Sequence, residues 1–228
     1  MQDRAAIIAH PTLKGTFLAI IADGMGGRSG GALAAQQVIT TAEQVFKAFL
    51  PDDKPEEVLI QIVLEAHAVI KLLSISDEKE PHSTLVALLM TPTASHWIHV
   101  GDSRLYLLRG RTLLSETKDH SFVNLAMQQG LITAEQAETH PQRNMITSAL
   151  GMNHVPTYDI AYCTQHYPGD AFILCSDGVW AYFDTAELAH ISASMSARAA
   201  SKLLLDLARE RAFGQGDNLS LVLIQVLG

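Results

Sequence analysis

Short apolar runs alternate with amphipathic stretches along the whole chain, and there is no internal repeat or low-complexity linker. Residues 16–22 are almost entirely apolar and predict a buried strand that ends at a glycine-rich turn. Beyond this turn, apolar residues recur at helical spacing between Val38 and Phe49. A second helical pattern follows Pro55, and its first two residues after the proline are acidic, as is favourable in the first turn of a helix. We therefore expect two amphipathic helices after the first buried strand.

Four short runs containing β-branched or aromatic residues follow these helices, at residues 84–90, 96–100, 104–109 and 112–115. Turn residues separate the runs at Pro92, Gly101 and Gly110. Strand-like runs divided by such turns are typical of an antiparallel meander, which is the arrangement we predict here.

The stretch at about residues 121–150 differs from both patterns, because it is polar and leans towards helix. We expect an irregular excursion from the sheet, of the kind that often carries function. After it, the sequence predicts a strand at 171–175, a helix beginning at Ser196 and a last strand at 219–226. Strands and helices thus come in blocks, which favours an α+β fold over a parallel doubly wound sheet.

Composition narrows the classes of protein that remain. The chain has 24 acidic against 16 basic residues and a formal net charge of −8, which argues against a protein that binds the nucleic-acid backbone. Hydrophobic residues make up 48% of the sequence, enough for a sizeable core, and no apolar run approaches the length of a membrane span. For the two cysteines, Cys163 and Cys175, we favour two buried thiols, with one bridge as the alternative. We expect a cytoplasmic protein.

Four aspartates stand where an apolar strand runs into a turn, namely Asp23, Asp102, Asp177 and Asp217. If these strand ends meet at one edge, their carboxylates converge, and like charges raise one another's pKa unless a cation compensates them. An all-oxygen ligand set favours a hard divalent cation such as magnesium, manganese or calcium. Each aspartate taken alone is more simply a turn residue, since Asp-Gly is a common turn dipeptide. The four together make the metal site the better interpretation.

The glycine-rich turn after Asp23 does not indicate a nucleotide site. It lacks the lysine and hydroxyl residue of a phosphate-binding loop and the spacing of a dinucleotide fingerprint. Its glycines have another use, because a residue without a Cβ, such as Gly24, can bring its carbonyl close to a metal ion.

Eight short motifs occur along the chain in a fixed order: Met1-Gln2-Asp3, Asp23-Gly24-Met25-Gly26-Gly27, Ser83-Thr84, Gly101-Asp102-Ser103-Arg104, Asp119-His120-Ser121, Thr147-Ser148-Ala149-Leu150-Gly151, Ser176-Asp177-Gly178 and Gly216-Asp217-Asn218. This ordered set is similar to the metal-dependent serine/threonine protein phosphatase family (PPM, type 2C) in its bacterial form. The resemblance implies a four-layer α-β-β-α sandwich with two antiparallel sheets flanked by helices. It also implies a single domain over residues 1–228, with a flap subdomain at about 121–150.

The resemblance assigns a metal-binding role to each strand-end acid. Asp23 would bridge two divalent ions, and the carbonyl of Gly24 would bind the second ion. Asp177 and Asp217 would hold the first ion. A more weakly held third ion would use Asp102 together with Asp177.

The implied reaction is hydrolysis of phosphoserine and phosphothreonine in proteins, by attack of a hydroxide that bridges two magnesium or manganese ions. Asp3, with Gln2 and Thr84, matches positions that organise water around the metals, so the residues expected to act in catalysis are Asp3, Asp23 and Asp177. The implied partners are phosphorylated protein substrates and a cognate serine/threonine kinase, with no nucleic acid and no membrane, and we expect a monomer.

The sequence departs from the family pattern in ways that leave alternatives open. The arginine that usually precedes the first motif and grips phosphate is absent, so either the protein extends further N-terminally, which is the simpler interpretation, or a cation such as Arg28 or Arg143 replaces it. Ala181 stands where many members have an aspartate, which argues against the third ion site but not against the first two. His120 and His140 are candidate acids for the leaving group, although a structural role is the better interpretation. The rival functions are a pseudophosphatase that acts as a regulatory binding module and a non-enzymatic acidic domain.

Overall fold

The computed structural model describes residues 2–74, 80–214 and 216–227, and of Arg28 only the backbone. Its strands and helices follow one another in the order β1 (Arg4–Ala9), β2 (Phe17–Ala22), β3 (Gly24–Met25), α1 (Gly27–Lys47), α2 (Pro55–Ser74), β4 (His82–Ser83), β5 (Leu85–Met90), β6 (Ser95–Val100), β7 (Arg104–Arg109), β8 (Thr112–Glu116), α3 (Phe122–Gln128), α4 (Ala134–Glu138), β9 (Asp159–Cys163), β10 (Asp170–Cys175), α5 (Asp177–Trp180), α6 (Thr185–Ser194), α7 (Ala197–Arg211) and β11 (Leu221–Gln225).

The strands form two main sheets in which every neighbouring pair is antiparallel. The first sheet has the strand order β1-β2-β5-β6-β9, and the second has the order β11-β10-β7-β8. The two-residue strands β3 and β4 pair with each other beside the end of β2. Several predicted elements agree with the structure to within one or two residues, including β2, α2, β5, β7 and β10.

Strand β2 shows how the layers are built. Leu18 and Ile20 face α1 and α2, whereas Ala19 and Ile21 face the second sheet, and all four side chains are fully buried. This division follows from the alternation of side chains along a strand. On the far side of the second sheet, alternate residues such as Ile173 pack against α6 and α7. The molecule is therefore a four-layer α-β-β-α sandwich, which confirms the predicted α+β fold.

The predicted meander is wrong at one point. β5 pairs with β6 and β7 pairs with β8, but β6 and β7 belong to different sheets. The chain crosses between the sheets at Gly101, whose φ of +97° is accessible mainly to glycine. A turn signal marks where the chain bends, but it does not specify which strand the next run will pair with.

The segment predicted as a flap contains the two short helices α3 and α4, joined to the sandwich by irregular chain. Ser121 caps α3 by accepting from the Asn124 N–H, and Thr133 caps α4 through a reciprocal capping box with Gln136. The sequence pattern does not predict β1, β9 and α6, nor the short elements β3, β4 and α5. The exposed and half-buried residues of β9 give no apolar run for a sequence pattern to detect.

Both cysteines are free thiols, and Cys175 is buried as expected. Cys163 is only half-buried, because it lies on the edge strand β9, which corrects the prediction of two buried thiols. Among the described residues, none of the helices is both long and apolar enough to cross a lipid bilayer.

Candidate metal and phosphate site

A cleft of about 930 Å³ opens at one end of the sandwich, where the flap segment faces the ends of β2, β6 and β10. The residues predicted as metal ligands all line it: Asp23, Gly24, Asp102, Asp177 and Asp217. Gln2 lines the same cleft, while Asp3 lies behind it and is only 2% exposed. The fold thus places the four strand-end acids around one cleft.

Asp23 is fixed through its backbone at the end of β2. Its N–H donates to Thr84 Oγ1 (3.0 Å), and its carbonyl accepts from the Thr84 N–H (2.8 Å) and from Ser83 Oγ (3.1 Å). Thr84 therefore acts on Asp23 directly. Gly24 packs so closely on α1 that a Cβ would lie 2.0 Å from the carbonyl oxygen of Gly31, so only glycine fits at this position.

Asp177 and Asp217 reach the same cleft because α5 packs closely against the loop that precedes β11. Asp177 is the first residue of α5, directly after the buried strand β10 and Ser176. A Cβ on Gly178 would lie 2.2 Å from the carbonyl oxygen of Asn218, so α5 and the loop that carries Asp217 could not approach as they do with a larger residue. The Asp217 carboxylate accepts from the N–H of Asn218 (2.7 Å), which orients it beside this contact.

Asp3 supports the site from behind. Its Oδ2 accepts a hydrogen bond from Ser176 Oγ (2.8 Å), whose own oxygen accepts from the Ser220 N–H (3.2 Å). Asp3 Oδ1 and Asp177 Oδ1 are buried without a hydrogen-bond partner. A buried carboxylate oxygen left in this state is costly unless a cation or water satisfies it.

Four buried carboxyl groups at the site, those of Asp23, Asp102 and Asp177 in the cleft and of Asp3 behind it, have raised pKa values. Burial, reinforced by the charges of Asp3, Asp177 and Asp102, raises the pKa of Asp23 from 3.8 to about 9. Burial and the neighbouring Asp177 raise the pKa of Asp102 to about 7. Burial likewise raises the pKa of Asp3 and of Asp177. An all-oxygen donor set with unpartnered oxygens and mutually repelling acids fits a hard divalent cation.

Two arginines described with their side chains line the cleft. Arg104 is held in a bidentate pair with Asp119 (2.7 Å to each carboxylate oxygen), so its charge is already matched. Arg143 is an exposed residue of the flap segment, and no ion-pair partner is found for it among the described residues. The side chain of Arg28, the other proposed replacement cation, lies outside what the structure describes. Ala181 also lines the cleft.

A separate group of candidate ligands, His99, His120 and Asp159, lies outside this cleft. The imidazole rings stack at 4.6 Å with only 9° between their planes. Nitrogen lone pairs lie in the ring plane, so two nearly parallel stacked rings cannot both direct a lone pair at one ion. In addition, His120 Nδ1 accepts from the Gly101 N–H (3.1 Å), which leaves the proton of the neutral ring on Nε2. The geometry favours packing over metal binding.

The histidines considered as acids take structural positions. His120 holds Gly101 through its side chain, and burial lowers its pKa. His140 packs against the Phe122 ring, and its Nδ1 accepts from the N–H of Gln142. Neither residue is among those that line the cleft.

Sequence reasoning assigns no role to several cleft residues, and two of these contact Arg104. Trp180 stacks on the Arg104 guanidinium and Asp119 accepts hydrogen bonds from it. Asp119 belongs to a motif that was recognised without a function. Trp180 lies one turn after Asp177, and this spacing was the only sequence signal available for it.

Comparison with known proteins gives a consistent set of relatives. Residues 1–208 match the family model described as Protein phosphatase 2C. The chain is 36% identical over 188 residues to "Serine/threonine protein phosphatase PstP" of Mycobacterium tuberculosis, an alignment that covers 78% of this chain and 35% of that protein. The matched region therefore spans about a third of the relative.

Solved structures share the whole fold. The crystal structure of the serine/threonine phosphatase Stp1 from Staphylococcus aureus superimposes with a TM-score of 0.88 at 27% identity, covering 100% of this chain and 89% of the other. The catalytic domain of the serine threonine protein phosphatase PstP in complex with two manganese ions gives a TM-score of 0.77 at 26% identity, covering 99% and 97%.

Proposed function

This chain belongs to the protein phosphatase 2C family, and we propose that it is a metal-dependent phosphatase acting on phosphoserine and phosphothreonine in proteins. The observation that supports this most strongly is the convergence of Asp23, Asp102, Asp177 and Asp217 in one cleft. Binding modules can also carry acidic clefts. However, the raised pKa values of Asp23 and Asp102 represent a cost that a purely structural cleft has no reason to retain.

We propose the following ligand set. Asp23 and the carbonyl of Gly24, together with Asp177 and Asp217, hold two divalent ions, and Asp102 with Asp177 holds a third and weaker one. When bound, two such ions activate a water molecule and neutralise charge on the phosphoryl oxygens. Both magnesium and manganese suit these oxygen donors. Manganese is the ion named for the PstP catalytic domain, so it is the first to test.

The remaining residues of the cleft position these groups. Thr84 fixes the backbone of Asp23, and Asp3 holds Ser176 so that α5 begins with the Asp177 carboxylate directed towards the cleft. The buried Oδ1 of Asp3, which has no partner, can accept a hydrogen bond from a water molecule at the back of the site. No side chain has to act as a nucleophile in this scheme.

Arg143 is our candidate for gripping the substrate phosphate. It is the arginine of the cleft lining, among side chains described, that has no carboxylate partner. A guanidinium offers a planar fork of donors that suits phosphate oxygens. We propose that the chain forms a single domain and that the flap segment is a subdomain of it. Because Arg143 lies in this flap, substrate binding and the position of the flap would affect each other.

A phosphatase of this kind consumes the product of a serine/threonine kinase, so we propose a cognate kinase as its functional counterpart. We propose that the protein works as a cytoplasmic monomer. The competing function is a pseudophosphatase, which would retain the fold and bind a partner without hydrolysing phosphate esters.

The test is hydrolysis of p-nitrophenyl phosphate and of a phosphothreonine peptide. We expect turnover with manganese, loss of turnover in EDTA, and a fall of at least about 100-fold in kcat for Asp177→Asn, in the range seen when one electrostatic group is removed from an active site. Asp52→Asn, at an exposed position outside the cleft, is the matched control. Turnover that persists in EDTA, or in the Asp177→Asn variant at full rate, would contradict the metal-dependent mechanism. A chain that binds manganese but hydrolyses neither substrate would be a pseudophosphatase.

A further inference from the structure

Asp102 lies on the stretch of chain that crosses between the two sheets. Its backbone carbonyl accepts a hydrogen bond from Trp180 Nε1 (2.8 Å). Trp180 ends α5, the short helix whose first residue is Asp177. A single hydrogen bond thus joins the chain segments that carry two of the carboxylates of the cleft.

The indole ring is itself held in place. The Cζ atom of Arg104 lies 3.5 Å from the ring centroid, a close cation–π contact. Arg104 is oriented in turn by its bidentate pair with Asp119, and its side chain is only 23% exposed. Because a guanidinium bound at two points has little freedom to rotate, the ring above it can be held in one orientation.

The rest of the crossing segment is anchored elsewhere. Gly101 is held by His120, which donates its N–H to the Gly101 carbonyl (2.9 Å) and accepts the Gly101 N–H on Nδ1 (3.1 Å). Ser103 Oγ is bonded to Thr84 Oγ1 at 2.7 Å. Between these two anchored residues, the carbonyl of Asp102 accepts the hydrogen bond from Trp180.

We propose that Trp180 is a positioning residue, which holds the backbone of Asp102 so that the carboxylates of Asp102 and Asp177 face the same cation. This inference rests on the proposed phosphatase function. The indole N–H has no lone pair to offer a metal ion, so its influence can only pass through the residue it holds. Arg104 serves as the platform for the ring.

The proposal makes a selective prediction. Trp180→Phe keeps an aromatic ring over Arg104 but removes the N–H donor. Loss of a group that orients a ligand typically weakens metal binding by about 10- to 100-fold. We expect a weakening of about tenfold, at the lower end of this range, confined to the weakest manganese-binding step, because Asp23 and Asp217 do not depend on this hydrogen bond.

The experiment is a manganese titration of the full chain by calorimetry, for wild type, Trp180→Phe, Asp102→Asn and the double variant. If Trp180 acts through Asp102, then Trp180→Phe has no further effect once Asp102 is replaced. Trp97→Phe is the control, because it makes the same change at a tryptophan buried between the sheets. Arg104→Lys, which loses the bidentate pair and the planar contact with the ring, should weaken the same step and can be used if Trp180→Phe is unstable.

The outcomes distinguish failure of the positioning role of Trp180 from failure of the proposed phosphatase function. Equal losses from Trp180→Phe in the presence and absence of the Asp102 carboxylate would overturn the positioning role, as would unchanged binding in Trp180→Phe. A uniform loss of manganese affinity over all binding steps in Trp180→Phe, with a lowered melting temperature in EDTA, would also overturn it, because a purely structural contact would give this result. A wild-type chain that binds no manganese at all would instead overturn the proposed function.

Discussion

Replacing Asp23 by asparagine should stabilise the metal-free protein while abolishing its response to manganese. The pKa of Asp23 is raised from 3.8 to about 9 in the folded chain, mainly by burial and then by the charges of Asp3, Asp177 and Asp102. A carboxyl group with a raised folded-state pKa lowers stability at every pH above its unfolded value, because the unfolded chain can release the proton and the folded chain retains it. The sign is therefore fixed: neutralising this residue favours folding when no cation is bound.

The magnitude follows from the same pKa values. At pH 7 the folded chain keeps the Asp23 proton about three pH units above the ordinary pKa, which costs about 4 kcal/mol at about 1.4 kcal/mol per unit. The buried asparagine amide still loses its hydration, at about 1–3 kcal/mol. We expect a net gain of about 2 kcal/mol, or about 4–8 °C in melting temperature for a chain of this size. The gain should fade as the pH falls from 7 to 4, because the unfolded carboxyl then also becomes protonated.

The assay is thermal unfolding followed by circular dichroism, in EDTA and in excess manganese, for wild type, Asp23→Asn and the exposed control Asp52→Asn. A ligand at 100 times its dissociation constant stabilises a protein by about 2.7 kcal/mol, so manganese should reverse the order of the two melting temperatures. An Asp23→Asn variant that melts below wild type in EDTA would refute the reasoning about the acid cluster. So would a variant that still gains the full wild-type stabilisation from manganese.

Three further predictions address other parts of the molecule. Arg143→Ala should raise KM for a phosphothreonine peptide by about 10-fold or more with little change in manganese affinity, since a charge-assisted hydrogen bond contributes about 1.5–3 kcal/mol; steady-state kinetics at saturating metal would test this. Gly24→Ala should lower the melting temperature markedly even in EDTA, because the new Cβ would lie 2.0 Å from the Gly31 carbonyl oxygen. Arg109→Ala, away from the cleft, removes the 2.7 Å arginine partner of the fully buried Asp170 carboxylate, which keeps only the Tyr167 N–H as a donor among the described residues, and should lower the midpoint of urea unfolding with unchanged kcat.

The pattern of apolar runs predicted the α+β class, and the family resemblance predicted the four layers, but the pattern did not predict how the strands pair. The apolar runs located β2, β5, β7 and β10, because strands buried on both faces need continuous apolar residues. The same property hides which sheet each strand joins. In the sequence, Gly101 has the appearance of a hairpin turn. In the structure, the chain passes there from one sheet to the other, because β6 and β7 bury apolar side chains from opposite sides of the layer between the sheets.

The candidate site could also be predicted only in part. Aspartates at strand ends could be recognised one at a time, and the repetition of this pattern at four strand ends suggested that they meet. What the sequence could not provide is the contact between Trp180 and Asp102, which are 78 positions apart and share no pattern. Arg104 illustrates the difficulty, since a cation beside a strand-end aspartate could have been a phosphate ligand, and only the geometry gives it Asp119 as a partner.

The carboxylates of the cleft come from both sheets: Asp23 ends a strand of the first, and Asp177 follows a strand of the second. Their separation is therefore set by how the two sheets rest on each other through the apolar layer between them, where Ile21 and Phe172 are fully buried. Protein interiors are close-packed, so a change of one methyl group in this layer can shift one sheet relative to the other. The hydrophobic core acts as a spacer that calibrates the distance between acids. Repacking it is a route by which catalytic rate or metal preference could drift while every ligand stays in place.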